Sequence, residues 1–233
     1  MKKLPVYNST KRILEESTKN AYNMYASKFA ETRNGKVHWE EFEVLIPLLA
    51  KKPLNVLDIG CGSGRFFSYL EKHADISHYT GIDYSTELLK EAKVKAGFRD
   101  KLEWIEGDML NFKVEEGKYD LIVLIASFHH LLNPEEHKLF LKKLYDSLKP
   151  EGILFMTNWN LLELPFYADR QIEKTSIFEI PLSDGKDKAE NRYYYGFELK
   201  EIEHLFENAG FIKSSHTLSE KNKRNIISVA YKS

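Results

Sequence analysis

The spacing of apolar residues separates a helical N-terminal segment from a longer stretch in which short apolar runs alternate with helical patterns. Residues 12–50 are predicted to be helical, with a second helix from Trp39 through Leu49. From Leu54 onward, five short apolar runs bounded by turn residues predict buried strands: residues 55–59, 78–82, 102–105, 119–125 and 153–157. This alternation of strands and helices predicts a parallel sheet with right-handed crossovers.

Capping residues mark where two of the intervening helices begin. Ser85 precedes one helical apolar stripe, and Asn133-Pro134-Glu135-Glu136 supplies a cap, a proline at the first helical position and a glutamate three residues after the cap. Residues 149–152, Lys-Pro-Glu-Gly, predict a turn into the fifth strand.

The strand–helix rhythm stops after the fifth strand and resumes near the C-terminus. Residues 159–196 are aromatic and charged, and we interpret them as an insertion over the site. A helical stripe at 199–209 ends at Gly210, and the strands 211–218 and 225–231 follow, joined by a turn around 221–223.

We therefore predict one α/β domain over residues 1–233, doubly wound and Rossmann-like, with a mostly parallel seven-stranded sheet whose last strand is antiparallel. Its parts are a helical cap (1–53), a cofactor-binding core (54–158), the insertion or substrate lid (159–196), and a C-terminal helix and hairpin (197–233).

A glycine-rich turn follows the first predicted strand. Residues 58–64 read Asp-Ile-Gly-Cys-Gly-Ser-Gly, and glycines let the backbone turn tightly and approach a ligand. In an open parallel sheet, ligands bind at the carboxyl ends of the strands. A dinucleotide site would place its third glycine at position 65, which is Arg65, so that spacing does not fit. Cys61 is interpreted as a small residue filling the turn rather than a catalytic thiol.

Two acidic residues follow the next strands. Asp83 lies about 20 residues beyond the glycine turn, where a carboxylate can hold ribose hydroxyls. Asp108, within Glu106-Gly107-Asp108-Met109, follows the third strand.

Together these residues resemble the D-x-G-x-G-x-G motif and the following strands of class I methyltransferases, over about residues 54–158. The resemblance implies binding of S-adenosylmethionine, which leaves as S-adenosylhomocysteine, and places Asp108 near the adenine. The residues expected to bind the cofactor are Tyr25, Asp58, Gly60, Cys61, Gly62, Gly64, Asp83, Tyr84, Asp108, Met109 and Ile125.

The flanks resemble a narrower family, the tRNA wobble-uridine carboxymethyl methyltransferases. The resemblance rests on residues 22–33 with Trp39, on His129-His130, and on residues 191–199, where Tyr195 stands at the position of an expected histidine. It implies a methyl ester on a carboxymethyl-modified uridine of tRNA.

Four residues are candidates for work at the acceptor. Arg33 and Arg192 are candidate clamps for the carboxylate of the substrate or for the methionine end of the cofactor, because guanidinium pairs bidentately with carboxylates. His129 and His130 are candidate bases for an amine or hydroxyl acceptor, or else structural histidines. Trp159 and Tyr193 to Tyr195 are interpreted as a base-stacking surface or as core.

Composition narrows the alternatives only a little. The formal net charge is −1, but residues 1–52 and 211–233 each carry a net +4, which suits either phosphate binding or an ordinary solvated surface. We expect a cytoplasmic protein without a membrane segment, disulfide or metal site. The rivals are a methyltransferase of small molecules, a cofactor-binding partner without activity, and, least favoured, an oxidoreductase. An activator subunit is left open.

Overall fold

The computed structural model describes residues 5–34, 40–49, 51–113, 115–173, 175–183, 189–221 and 223–233. Its α-helices are α1 (Pro5–Met24), α2 (Ala26–Asn34), α3 (Glu40–Leu45), α4 (Arg65–Leu70), α5 (Thr86–Ala96), α6 (Pro134–Ser147) and α7 (Leu199–Ala209). Short 3-10 helices cover Ile46–Leu48, Phe128–His130 and Pro165–Arg170. The predicted caps are confirmed, since the Ser85 hydroxyl accepts from Leu88 N and the Asn133 side chain accepts from Glu135 N.

Seven strands form one mixed sheet and two form a separate ribbon. The strands are β1 (Leu54–Ile59), β2 (Ile76–Asp83), β3 (Leu102–Glu106), β4 (Tyr119–Ile125), β5 (Leu148–Trp159), β6 (Ile177–Leu182), β7 (Glu190–Tyr195), β8 (Lys213–Leu218) and β9 (Asn225–Tyr231). The sheet order is β3-β2-β1-β4-β5-β9-β8, and β9 runs antiparallel to both of its neighbours. The predicted fold, with its antiparallel last strand, is confirmed.

Helices cover both faces of the sheet, which explains why the central strands are apolar throughout. In β4 every residue from Tyr119 to Leu124 is buried. Leu57, Ile122 and Leu154 face a core shared with α6 and α7, whereas Leu121 and Phe155 face a second core shared with α4. Strands buried on both sides carry continuous apolar runs, so this architecture follows from the pattern.

The cap helix α1 and the ribbon strand β7 pack together although they lie at opposite ends of the chain. The backbone N–H of Tyr193 donates to Thr18 Oγ1 at 3.0 Å, and Ser17 Oγ donates to the carbonyl of Asn191 at 3.0 Å. Thr18 is buried, so this contact replaces water on both partners. The predicted lid therefore contains a helix as well as the insertion.

Some predicted boundaries are wrong. Helix α1 begins at Pro5 rather than near residue 12, and the helix predicted through Leu49 ends at Leu45 before a 3-10 turn that contains Pro47, which lacks the N–H that α-helical bonding needs. Trp39 lies outside the described residues. The turn predicted at 149–152 lies within β5, because Leu148 already pairs with Tyr119. The strand bends at Glu151, whose φ is 62°.

Candidate functional site

A cavity of about 650 Å³ opens at the carboxyl ends of β1, β2 and β4, beneath α1 and β7. Nine of the residues predicted to bind a cofactor line it: Asp58, Gly60, Cys61, Gly62, Asp83, Tyr84, Asp108, Met109 and Ile125. The predicted acceptor residues His130 and Arg192 line it as well. The cavity therefore has two halves, one built by the sheet and one built by the lid.

The glycine turn needs glycine for two different reasons. All three of Gly60, Gly62 and Gly64 have positive φ, at 76°, 53° and 69°. A Cβ on Gly60 would lie 2.3 Å from Ser127 Cβ, so the turn packs directly on the loop after β4. A Cβ on Gly62 would meet no atom within 4 Å, and the glycine thus leaves open the space in which a ligand could lie. Gly64 does not line the cavity; it packs against Trp104 and Ala92.

Asp83 ties the glycine turn to the end of β2. Its carboxylate accepts hydrogen bonds from Gly62 N at 2.8 Å and from Ser85 N at 2.9 Å, and the residue is 6% exposed. Burial raises the pKa of Asp83 to about 6, against the opposing effect of these backbone donors. Each oxygen keeps acceptor capacity for a second donor, such as a hydroxyl.

Only one of the two carboxylate oxygens of Asp58, near the end of β1, has a hydrogen-bond partner among the described residues. Tyr79 donates its hydroxyl to Oδ2, while the buried Oδ1 has no hydrogen-bond partner within the described chain. Burial raises the pKa of Asp58 to about 7, with the nearby Asp83 as a smaller cause. An unpartnered buried carboxylate oxygen beside a cavity is suited to a cationic donor from a ligand.

The remaining residues of this half close its far side. Asp108 is exposed and accepts from Leu110 N at 2.8 Å, which shapes the loop after β3. Cys61 is 7% exposed, and burial raises the pKa of its thiol well above the usual value. A protonated thiol is a poor nucleophile, so Cys61 fills the turn as expected.

Comparison with known proteins agrees with this geometry. A family described as "Methyltransferase domain" matches residues 56–152, which contain the glycine turn, Asp83 and Asp108. The chain is an S-adenosylmethionine-dependent methyltransferase.

The proteins similar to this chain are named for different reactions. Carboxy-S-adenosyl-L-methionine synthase of Wolinella succinogenes is 28% identical over 166 residues, 67% of this chain and 68% of that protein. Malonyl-[acyl-carrier protein] O-methyltransferase 2 of Ilyobacter polytropus is 29% identical over 150 residues, 62% of this chain and 56% of its own. A solved DhpI-SAM-HEP complex has a TM-score of 0.70 at 16% identity, covering 94% of this chain and 98% of the other, a likeness in fold.

The part of the cavity beneath α1 and β7 contains the buried side chain of Arg192. Its guanidinium carbon lies 5.6 Å from the ring centre of Tyr22, 5.9 Å from that of Trp159 and 5.5 Å from that of Tyr194. The residue is 5% exposed, and its Nε has no hydrogen-bond partner among the described residues. No carboxylate in the described part of the chain forms an ion pair with it.

Both histidines of the loop after β4 are neutral and already bonded. His130 Nδ1 lies 3.1 Å from the carbonyl oxygen of Tyr193, which can only accept, so Nδ1 carries the proton and Nε2 accepts from the Tyr22 hydroxyl at 3.1 Å. Burial lowers the pKa of His130 to about 3. His129 is fully buried, does not line the cavity, and accepts from Trp159 N through Nδ1.

Of the two predicted residues from the N-terminal helices, the structure places only Tyr25. Tyr25 does not line the cavity; α1 ends at Met24, and Tyr25 lies in the junction before α2 and points elsewhere. The residue that lines the cavity is Tyr22, one helical turn earlier, which sequence reasoning missed. The side chain of Arg33 lies outside the described residues.

Of the aromatic residues considered for base stacking, Trp159 and Tyr194 stack on each other, whereas Tyr195 packs against His137 and Phe197. The Trp159 ring lies 4.8 Å from Tyr194 and 6.1 Å from Tyr167, nearly parallel to both, and Tyr194 is fully buried. Trp159 and Tyr167 line the cavity, while the fully buried Tyr194 packs behind Trp159 as part of the core. Among the described residues there is no cluster of three or more metal-ligating side chains, and none of their helices is long and apolar enough to span a bilayer.

Proposed function

We propose that this methyltransferase forms a methyl ester on a carboxylate acceptor that Arg192 holds. The observation that carries the proposal is a buried guanidinium that lines the cavity without a carboxylate partner in the described chain. A buried, uncompensated charge costs several kcal/mol, and a pairing anion offsets that cost. The three surrounding rings stabilise the cation, Tyr22 also hydrogen-bonds to it, and its Nε remains without a partner among the described residues.

The neutral histidines support the same acceptor chemistry. The lone pair of His130 accepts from Tyr22, and that of His129 accepts from Trp159 N, so neither presents a free base to an acceptor. A carboxylate is ionised at neutral pH and needs no base. Arg192 would hold the acceptor carboxylate, and S-adenosylmethionine, when bound, would supply the methyl group as a sulfonium. The carboxylate oxygen would take the methyl carbon while the carbon–sulfur electron pair goes to sulfur, so that no proton need move.

For the cofactor half, we infer roles from the cavity lining. Asp83 would accept from ribose hydroxyls, and the unpartnered Oδ1 of Asp58 would accept from the ammonium group of the amino-acid end. The open space over Gly62 admits the cofactor close to the backbone. The exposed Asp108, on the loop after β3, would lie nearest the adenine.

The acceptor we favour is a carboxymethyl-modified wobble uridine of tRNA. The support is sequence resemblance in the two segments that meet in the lid, residues 22–33 and 191–199, which include Tyr22 and Arg192. The second candidate is a small carboxylic acid, favoured by the packed wall of Trp159, Tyr167 and Tyr194 and by the likeness to an O-methyltransferase of a malonyl group.

A labelling assay separates these acceptors. The purified chain, without a partner, is incubated with methyl-labelled cofactor and either tRNA containing the carboxymethyl precursor or a small-metabolite extract. Label released by mild alkali marks an ester. Alkali-stable label would overturn the carboxylate proposal, and alkali-labile label confined to small molecules would overturn the tRNA acceptor. Activity that appears only after addition of a protein fraction would establish an activator.

The role of Arg192 has its own test. Arg192→Gln removes the charge but keeps a polar side chain, and we expect kcat/KM for the acceptor to fall about a hundredfold, since a charged hydrogen-bonded contact contributes roughly 2–3 kcal/mol. Affinity for S-adenosylhomocysteine, measured by calorimetry, should stay within about twofold. Arg192→Lys should recover part of the loss. Equal losses of cofactor affinity and activity would assign Arg192 to the cofactor instead.

A further inference from the structure

The cavity has a second cationic region, at the edge away from Arg192. Arg65 at the start of α4, and Lys221 and Arg224 in the connection between β8 and β9, line the cavity there. We call these three side chains the basic rim. The protein as a whole has a formal net charge of −1, so a local group of three cations does not follow from its overall charge.

The connection that carries two of these cations is held in place by its backbone. Asn160 is 2% exposed; its N–H donates to the carbonyl of Arg224 at 2.8 Å, and its Nδ2 donates to the carbonyl of Lys223 at 3.0 Å. Ser219, also buried, donates its N–H to Asn225 O at 2.8 Å and accepts from Asn225 N through Oγ. These bonds hold the backbone at residues 219 and 223–225, next to the exposed side chains of Lys221 and Arg224 that line the cavity.

Helix α3 lies between the two parts of the basic rim. Asn225, next to Arg224, donates to Glu41, while Phe42 packs on Phe66, the neighbour of Arg65, at 5.2 Å between ring centres. Glu41 and Phe42 themselves line the cavity. Arg65 and Arg224 thus flank the same segment of α3 at one edge of one cavity.

The field around Arg65 is positive beyond the cavity as well. Lys95 on α5 and Lys72 after α4 lie close enough that they and Arg65 act on one another, and the pKa of Lys95 is lowered by burial first and then by these two cations. Coulomb attraction from these cations adds to that of the basic rim on an anion in the cavity.

Two consecutive residues contact Arg192 and the basic rim, one each. Trp159 lies against the Arg192 guanidinium, and Asn160, the next residue, anchors Arg224. We propose that the basic rim binds a phosphate group of the acceptor, while Arg192 holds the carboxylate that is methylated. The acceptor is then a molecule with two separated anionic groups. The assignment of the carboxylate rests on the proposed function; the assignment of the phosphate does not.

The kinds of hydrogen-bond donor on the basic rim favour a phosphate group as its ligand. A guanidinium presents several donors in one plane and a lysine presents a compact charge, and together they suit the multiple oxygens of a phosphate ester. A nucleic-acid backbone and a phosphorylated metabolite both carry this group, and both would reach the rim by the same chemistry.

The test uses inorganic tripolyphosphate as the probe and the whole chain saturated with S-adenosylhomocysteine. Calorimetry should detect binding, and Arg224→Gln and Lys221→Gln should each weaken it about tenfold, the usual effect of losing one charged contact. Lys138→Gln, which removes an exposed lysine of α6 remote from the cavity lining, is the matched control and should bind as the parent does.

Three results would overturn the proposal. The first is that tripolyphosphate fails to bind, and the second is that Lys138→Gln weakens its binding as much as the rim variants do. The third is that Arg224→Gln weakens the binding of S-adenosylhomocysteine instead, which would assign the rim to the cofactor carboxylate. Arg192→Gln should leave tripolyphosphate affinity unchanged, so failure of the carboxylate clamp and failure of the phosphate site give different results.

A second set of titrations identifies the source of the phosphate. Bulk tRNA replaces tripolyphosphate in one arm and a nucleoside monophosphate replaces it in the other. Binding of tRNA that weakens with added salt and with Arg224→Gln assigns the rim to a nucleic-acid backbone. Binding of the monophosphate alone, weakened by Arg224→Gln, assigns it to a phosphorylated small molecule. If the rim variants change neither binding, the rim is not a phosphate site.

Discussion

The two halves of the cavity differ in charge and in how the chain builds them. The half proposed for the cofactor is acidic: Asp58 and Asp83 lie at the carboxyl ends of β1 and β2, and burial raises the pKa of both. The acceptor half is cationic, with Arg192 on the ribbon and a neutral His130 beside it. The first half is thus suited to hydroxyl and ammonium donors, and the second to an anion.

The halves also differ in tolerance to change, because one is made of backbone and the other of side chains. In the glycine turn, ligand space is created by the absence of a Cβ at Gly62, whereas in the lid it is bounded by rings that stack on one another. We therefore expect changes in the turn to affect folding and cofactor binding together. Substitutions in the lid should change acceptor binding alone.

The largest effect is expected from Gly60→Ala. The new Cβ would lie 2.3 Å from Ser127 Cβ, at a residue whose φ is 76°, and the strain should lower the free energy of unfolding by roughly 2–4 kcal/mol. S-Adenosylhomocysteine affinity should fall at least about tenfold. Gly117→Ala, at φ 59° with nothing within 4 Å, is the matched control; it should cost about 1 kcal/mol and leave binding unchanged. Equal effects of the two variants in urea unfolding and calorimetry would contradict this account.

An intermediate effect is expected from pH. With the pKa of Asp58 at about 7, the free protein holds a proton there that must leave before a cationic group binds, so S-adenosylhomocysteine affinity should fall about tenfold from pH 8 to pH 6. Because this pKa is above that of an unfolded aspartate, the free protein should also lose stability as pH rises through about 7. Asp58→Asn should flatten the affinity profile. A flat profile in the parent would show that Asp58 does not meet a cation.

The smallest effect is expected from Tyr22→Phe, which leaves His130 Nε2 without its donor. We expect kcat/KM for the acceptor to fall roughly fivefold, in line with the loss of one neutral hydrogen bond, with little change in cofactor affinity. Tyr25→Phe, off the cavity, is the control. A larger loss of activity in Tyr25→Phe than in Tyr22→Phe would restore the tyrosine that the sequence suggested.

This contrast explains how far the sequence could predict the site. The glycine turn and Asp83 follow two consecutive strands, so local pattern alone placed them. Tyr22 and Tyr25 lie three positions apart, close to one face of a helix, so the sequence pattern does not tell which of them lines the cavity. Arg192 lies in a stretch without strand–helix rhythm, and its burial depends on rings from α1, β5 and β7.

The basic rim shows the same limit. Its cations come from α4 and from the β8–β9 connection, which meet only because β9 lies between β5 and β8 in the sheet. Composition indicated a basic C-terminal segment, but the fixed position of that segment depends on Asn160, an amide with no motif around it.

The bond between Tyr193 N and Thr18 joins residues 175 positions apart, and it constrains how the protein is made. The ribosome synthesises α1 long before β7. During synthesis the face of α1 that contacts β7 in the folded protein is therefore exposed to solvent while the glycine turn and the first strands are made. A nascent chain can thus complete the cofactor half before any acceptor half exists. The half of the cavity proposed for the acceptor is complete only after β7 has been synthesised.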